Sequence, residues 1–313
     1  MRVGVVLPQG WLEPFRGADA AAHWQRVVSA SRSAERLGFE SGWLYDHFHR
    51  WPRATAEAVF ESFTGLAALA QVTERMRLGH LVLCAGFRNP ALVAKMASTV
   101  DVISGGRFDL ALGAGWYEEE WRAYGYEYPD RATRLATLAD QLEVISQMLR
   151  PGEPRFIGRY ARVDGAVNEP KPLQERLPIM VGGNGQNVTW RLAAKYADEL
   201  NLDCLSAERT KAALPVIATR CEEIGRDPRS LRISVHVFMG SLGEARQQRV
   251  DELAAFAELG IARVMTGPPG LIESDDALDE FAEECLAAGA ELSPKPPAAA
   301  TIPPTTPGHA FHE

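Results

Sequence analysis

Asp46-His47-Phe48-His49 holds the side chains best suited by type to move protons near neutral pH, because an imidazole gives or takes one there. His47 is the candidate catalytic residue; the plainer alternative is a structural histidine at a strand end. The H-x-H spacing of His47 and His49 can chelate an ion when both side chains lie on one face of an extended segment. No carboxylate clearly completes such a set at the last strand end, so no metal site is predicted. A second chemical feature is Val181-Gly182-Gly183-Asn184-Gly185-Gln186-Asn187. It passes from an apolar run into a helical one, where free amides and the helix dipole suit a phosphate, although glycines also serve simply for turns. Gly113-Ala114-Gly115 lacks the third glycine of a dinucleotide fingerprint, since Glu118 stands at that spacing.

Cys84, Cys204, Cys221 and Cys285 form no C-x-x-C pair, which argues against a zinc knuckle or a redox dithiol. Each is expected to be a small buried side chain, with Cys84 the one to question because it ends a predicted strand. Lys95, Lys171, Lys195 and Lys211 fall in predicted helices or connections, which weakens a Schiff-base mechanism.

The elements that must position these groups alternate between short β-rich runs and longer runs of helical period. Strands are expected at Arg2 to Leu7, Glu40 to Asp46, Arg77 to Cys84, Arg107 to Leu112, Ile179 to Val181, Glu199 to Cys204, Leu231 to Phe238 and Ala262 to Met265. Helices lie between and after them. Asn89 caps one and Pro90 suits its first turn; Gly38 and Gly105-Gly106 end two others. A long aromatic loop follows the fourth strand, and a Pro/Gly-rich connection from Pro151 to Pro178 carries a hairpin around Phe156 to Val163. Eight strands alternating with eight helices favour a (β/α)8 TIM barrel over an open sheet, with an insertion after the fourth helix. The barrel is expected over 1–290 and a disordered Pro/Ala/Thr-rich tail over 291–313.

In such a barrel the strand ends at the C-terminal face carry the chemistry. They are rich in glycine and poor in charge, which suits backbone approach to a flat or phosphorylated ligand better than a dense metal cluster. With 313 residues, a formal charge of -8 and no basic run, the chain does not suit a nucleic-acid partner. No stretch approaches the roughly 18 apolar residues of a membrane span. A cytoplasmic enzyme with a small-molecule substrate is expected.

Several blocks resemble the luciferase-like monooxygenase family (the bacterial luciferase superfamily). They are Arg77-Leu78-Gly79-His80-Leu81-Val82, Phe87-Arg88-Asn89-Pro90, Ala94-Lys95-Met96-Ala97, Ser104-Gly105-Gly106-Arg107-Phe108 and Leu112-Gly113-Ala114-Gly115-Trp116-Tyr117-Glu118-Glu119-Glu120, followed by Tyr124-Gly125. A second block runs from Phe156-x-Gly158-Arg159-Tyr160 through Pro170-x-Pro172 and Gln174 to Pro178-Ile179-Met180-Val181-Gly182-Gly183. The similarity spans Arg2 to about Gly289 and looks nearest to the branch that uses the deazaflavin coenzyme F420.

The resemblance implies hydride transfer between F420 and an organic substrate, in a homodimer, with His47 as the proton-transfer residue in an Asp46-His47-Phe48 motif followed by Trp51. It implies a cofactor site at Asp46, His47, Cys84, Ala85, Ala114, Gly115, Gly182, Gly183 and Asn184, and a non-proline cis peptide near Cys84-Ala85. Trp116 stands where the sugar-phosphate dehydrogenases of that branch carry a catalytic glutamate, so glucose 6-phosphate is a poor substrate expectation. Trp11, Trp51, Trp116 and Tyr117 instead suit a less polar, planar or extended substrate. The alternative is monooxygenation with reduced FMN and oxygen. More remote are a metal-dependent hydrolase using His47, His49 and His236, and a noncatalytic flavin-binding protein.

Overall fold

A computed structural model describes residues 1–17 and 19–293. The expected tail lies outside the described residues from 294 onward. Eight parallel strands form the barrel: β1 (Arg2–Val6), β2 (Ser41–Leu44), β3 (Arg77–His80), β4 (Phe108–Gly113), β5 (Ile179–Gly182), β6 (Glu199–Asp203), β7 (Arg232–His236) and β8 (Arg263–Thr266). Each pairs with its sequence neighbour. Pairing of Val3 with Val264 closes the ring between β1 and β8, so no edge remains to be covered. β4, Phe-Asp-Leu-Ala-Leu-Gly, is buried at every position, as expected for a strand covered on both faces.

The barrel is filled in layers. Trp43 crosses the middle among Val6, Leu81, Ala111, Met180 and Met265. It fits because β1 and β3 present glycines to it: a Cβ at Gly4 would lie 2.5 Å from its indole nitrogen, and one at Gly79 would lie 2.4 Å from its ring. Below that layer, at the N-terminal strand ends, Arg263 donates to Glu40 (2.9 Å), Asp109 (3.2 Å) and Glu199 (2.7 Å) and lies over the Trp43 ring. Helices pack outside.

Local signals decide the helix ends. Asn89 accepts from the Ala91 and Leu92 amides with Pro90 in the first turn, and Gly105 closes Pro90–Ser104 at φ 68°. Asp19 and Gly38 do the same for Ala20–Leu37. The hairpin is present as antiparallel Arg155–Ile157 and Arg162–Asp164.

Two expectations change. The aromatic loop after β4 contains a helix, Glu118–Ala123: three glutamates in the first turn complement the dipole at its N-terminus. The non-proline cis bond lies at Leu81-Val82 rather than near Cys84-Ala85. The third strand breaks there and resumes at Leu83–Cys84, so the part that pairs with β2 ends at His80. No helix among the described residues is long and apolar enough to cross a membrane.

Candidate functional site

His47 follows β2 at the C-terminal face. Its Nδ1 lies 2.8 Å from Glu120 Oε2, and the Phe48 and His49 amides donate to the other carboxylate oxygen at 2.7 and 3.3 Å. Glu120 is fully buried because the helix Glu118–Ala123 turns Glu120 and Trp121 inward and leaves Glu118 and Glu119 outside. A carboxylate held by two amides fixes the imidazole and leaves Nε2 as the ring nitrogen free for proton transfer.

Aromatic rings enclose this pair. The His47 ring stacks on Trp11 at 4.1 Å and meets Trp116 and Tyr117 edge-on at 5.9 and 6.1 Å. Trp51 reaches the group through Trp11, at 6.4 Å. The four aromatic residues expected at the substrate side are thus gathered around His47. Trp11 is buried and its indole N–H meets no acceptor among the described residues. An unpaired buried donor beside stacked rings fits a planar heteroaromatic group that carries carbonyl oxygens.

Asp46, expected beside the cofactor, accepts from several protein donors. Arg88 grips both carboxylate oxygens at 2.8 and 2.9 Å, while Ser62 and the Cys84 amide donate to them as well. Burial opposes the charge, but the Arg88 guanidinium holds Asp46 below the usual carboxylate range. With its acceptor sites taken, this carboxylate anchors the strand end. Cys84 packs with Phe87 and Trp121, and burial pushes its thiol up, which makes it unreactive. The Ala85 carbonyl accepts from Gln141. Gly115 sits at φ 76°, where a Cβ would lie 2.5 Å from Cys84 Sγ, so close packing alone requires glycine there. Ala114 is half-buried beside it.

Gly182 ends β5, and Gly183 begins the turn that leads to the helix Thr189–Tyr196. The backbone amides of Asn184, Gly185, Gln186 and Asn187 meet no protein acceptor among the described hydrogen bonds, an arrangement suited to an anion. The Asn184 side chain is committed elsewhere: it exchanges hydrogen bonds with the Asp203 backbone at 2.7 and 3.0 Å.

The structure brings His47 and His49 to one carboxylate, but His49 Nε2 is 4.0 Å from Glu120 and no second acid among the described residues joins them. The described residues whose ligand atoms come within 4.8 Å of one another are Asp203, Cys204 and His236. Both nitrogens of His236 are already hydrogen-bonded there: Nδ1 to Asp203 at 2.8 Å and Nε2 to the Tyr45 hydroxyl at 2.9 Å. Glu120 and Tyr45 were not legible in the sequence. The signal for Glu120 was a helical turn in which one glutamate of three faces inward.

Residues 1–292 match the luciferase-like monooxygenase family. The pyrimidine monooxygenase RutA of Caulobacter vibrioides is 31% identical over 206 residues, covering 63% of this chain and 57% of that protein. An F420-dependent glucose-6-phosphate dehydrogenase of Amycolatopsis mediterranei is 30% identical over 172 residues, covering 55% and 50%. The chain therefore matches about half the length of these curated relatives. Among solved structures, an F420-dependent secondary alcohol dehydrogenase superposes with a TM-score of 0.77 at 21% identity, covering 92% of this chain and 98% of that one. The long-chain alkane monooxygenase LadA gives 0.74 at 15%, covering 93% and 92%. These two likenesses carry the barrel fold alone. The match over nearly the whole described chain carries more: this protein belongs to the luciferase-like monooxygenase family.

Proposed function

We propose that the protein transfers a hydride between a deazaflavin, coenzyme F420, and an organic substrate, with His47 moving the accompanying proton. The observation that carries this is the pair of His47 with the fully buried Glu120 at the C-terminal strand ends, beside Trp11, Trp116 and Tyr117. When bound, the deazaflavin supplies the ring carbon that gives or takes the hydride. Everything else falls to the chain. Trp11, through its unpaired N–H, and the amides at 184–187, as a phosphate site, are the groups that would hold the coenzyme. Glu120 holds the His47 ring so that Nε2 meets the proton it moves. Trp51, Trp116 and Tyr117 exclude water and favour an apolar or planar substrate.

A second reading has a specific support: the curated relatives include pyrimidine monooxygenases as similar to this chain as the F420-dependent dehydrogenases. In that reading the same pocket holds reduced FMN and the product is oxygenated. Fluorescence titration of the purified protein with F420 and with FMN tests both. Tight binding of F420 supports hydride transfer, and tight binding of FMN alone moves the function to monooxygenation. Failure of both to bind refutes the cofactor site.

A further inference from the structure

The mouth of the barrel holds a second hydrogen-bonded chain that the His47–Glu120 pair does not use. Tyr45, next after β2, points its hydroxyl to His236 Nε2 at 2.9 Å, and His236, the last residue of β7, points Nδ1 to Asp203 Oδ1 at 2.8 Å. Asp203 ends β6. Three strands thus contribute one residue each.

Two members of the chain are buried and the third is exposed. Tyr45 is 6% exposed and His236 5%, while the Asp203 side chain is 58% exposed and faces solvent. Asn184 fixes the Asp203 backbone from both sides. Cys204, held at φ 52°, donates its thiol to the same carboxylate at 3.4 Å. Tyr45 also contacts Trp11, at 4.4 Å between ring centroids, and Trp11 stacks on His47. The two chains therefore flank one indole at the C-terminal strand ends.

We propose that Tyr45 is a second proton-transfer group, serving the hydroxyl or carbonyl oxygen of the substrate, with His236 and Asp203 as its positioning residues. This rests on the redox function proposed above. Asp203 accepts from Nδ1–H, which fixes the His236 tautomer and leaves Nε2 bare to accept the Tyr45 proton, the logic of an acid–imidazole–hydroxyl triad.

When an alcohol is oxidised, the hydride leaves its carbon for the oxidised deazaflavin. The alcohol O–H proton passes to the Tyr45 oxygen while the Tyr45 proton passes to His236 Nε2. The C–H and O–H bonds break, a C=O bond forms, and the imidazolium charge is offset by Asp203. Carbonyl reduction runs the same path in reverse. Such a reaction also needs a proton at the coenzyme ring, the task left to His47, so two separate groups are required. A free phenolate is not the means: burial, with Asp203 and Cys204 nearby, pushes the Tyr45 hydroxyl well above its ordinary range. The proton must move in concert with the imidazole.

The titratable groups that face His236 are Tyr45 from β2, and Asp203 and Cys204 from β6 and the turn after it; the Phe238 ring covers one edge. Protonation of His236 must therefore be felt by Tyr45, because Nε2–H then donates to the phenol oxygen and turns the phenol proton toward the mouth. NMR of the full chain with labelled histidine rings and labelled tyrosine Cζ reads this without any substrate. The expected result is that the His236 Nε2 and Tyr45 Cζ signals titrate with one shared midpoint, and that Asp203→Asn displaces both together. In Tyr45→Phe the His236 Nε2 signal should shift while F420 binding stays within about threefold.

Independent titration of the two signals, or stoichiometric zinc bound at Asp203, Cys204 and His236 in the purified protein, would overturn the proposal. If neither F420 nor FMN binds but the two groups co-titrate, the cofactor reading fails and the coupled proton chain stands. Loss of co-titration in a protein that binds F420 has the opposite meaning. His236→Gln and Tyr45→Phe keep the side-chain volume nearly constant, and a natively folded variant that leaves the partner's signal unmoved also overturns it.

Discussion

The two ends of the barrel each bury charge, but they treat it in opposite ways. At the closed bottom Arg263 is fully enclosed and meets Glu40, Asp109 and Glu199, while Arg77, Arg2 and Arg232 reach the same carboxylates from the rim. Burial opposes the Arg263 charge, yet Glu199, Glu40 and Asp109 push it above its ordinary range. At the open mouth His47, His49 and Trp11 stay incompletely paired among the described residues, although His236 has both nitrogens bonded. His47 has one nitrogen in use, His49 has none, and the Trp11 N–H is an orphan. A buried network in which every charge meets an opposite charge, here with Glu199 Oε1 alone left unbonded among the described residues, is locked into one protonation state and serves to hold strands together. An unsaturated one retains atoms that can accept a ligand or exchange a proton.

The largest test of this contrast is Arg263→Met. It leaves three buried carboxylates without their common partner and should cost about 3–5 kcal/mol in denaturant unfolding. A loss under about 1 kcal/mol would mean that the bottom cluster is not a closed lock. At the mouth, His47→Ala should lower turnover about a hundredfold or more, the scale of a lost acid–base group, while the unfolding midpoint hardly moves. A drop in stability as large as that of Arg263→Met would erase the distinction between the two ends.

A smaller effect comes from acid. Burial opposes the Asp109 charge, but Arg77 and Arg263 bring its carboxyl down to about 2 from the ordinary 3.8. A depressed carboxyl stabilises the fold fully above pH 4. Between about pH 4 and 2 the unfolded chain takes up the proton first and that contribution, about 2 kcal/mol, is lost. Asp109→Asn should flatten the stability profile in that window; an unchanged slope would place the acid sensitivity elsewhere. Smallest is Trp116→Ala. Trp116 is 54% exposed, so stability should change by less than about 0.5 kcal/mol, while KM for an apolar substrate rises a few-fold. A rise in KM for the cofactor instead would move Trp116 to the other side of the site.

Much of the scaffold was legible because it rests on local chemistry. Asn89-Pro90, Gly38 and Gly105 act within one helical turn, and each ends its helix as its residue type requires. The strand order followed from alternation and from the handedness of the crossovers. The position of His47 at a strand end was also legible. Its partner was not: Glu120 depends on a six-residue helix inside a segment that read as a loop, and on which of three successive glutamates turns inward. Asp46 was placed correctly along the chain, but the grip of Arg88 on it joins residues from two different β/α units.

By itself, the sequence determined the barrel strands, the main helices between them, their order and the family, since helix caps, apolar periodicity and motif spacing are properties of neighbours along the chain. Only the tertiary structure decided which polar groups pair. Arg263 meets residues up to 223 positions away, and Tyr45 meets His236 across 191. Such pairs exist because the ring closes and sets the register of every strand against the next. In a buried, low-dielectric interior, that register determines which charges are neutralised and which remain available for chemistry.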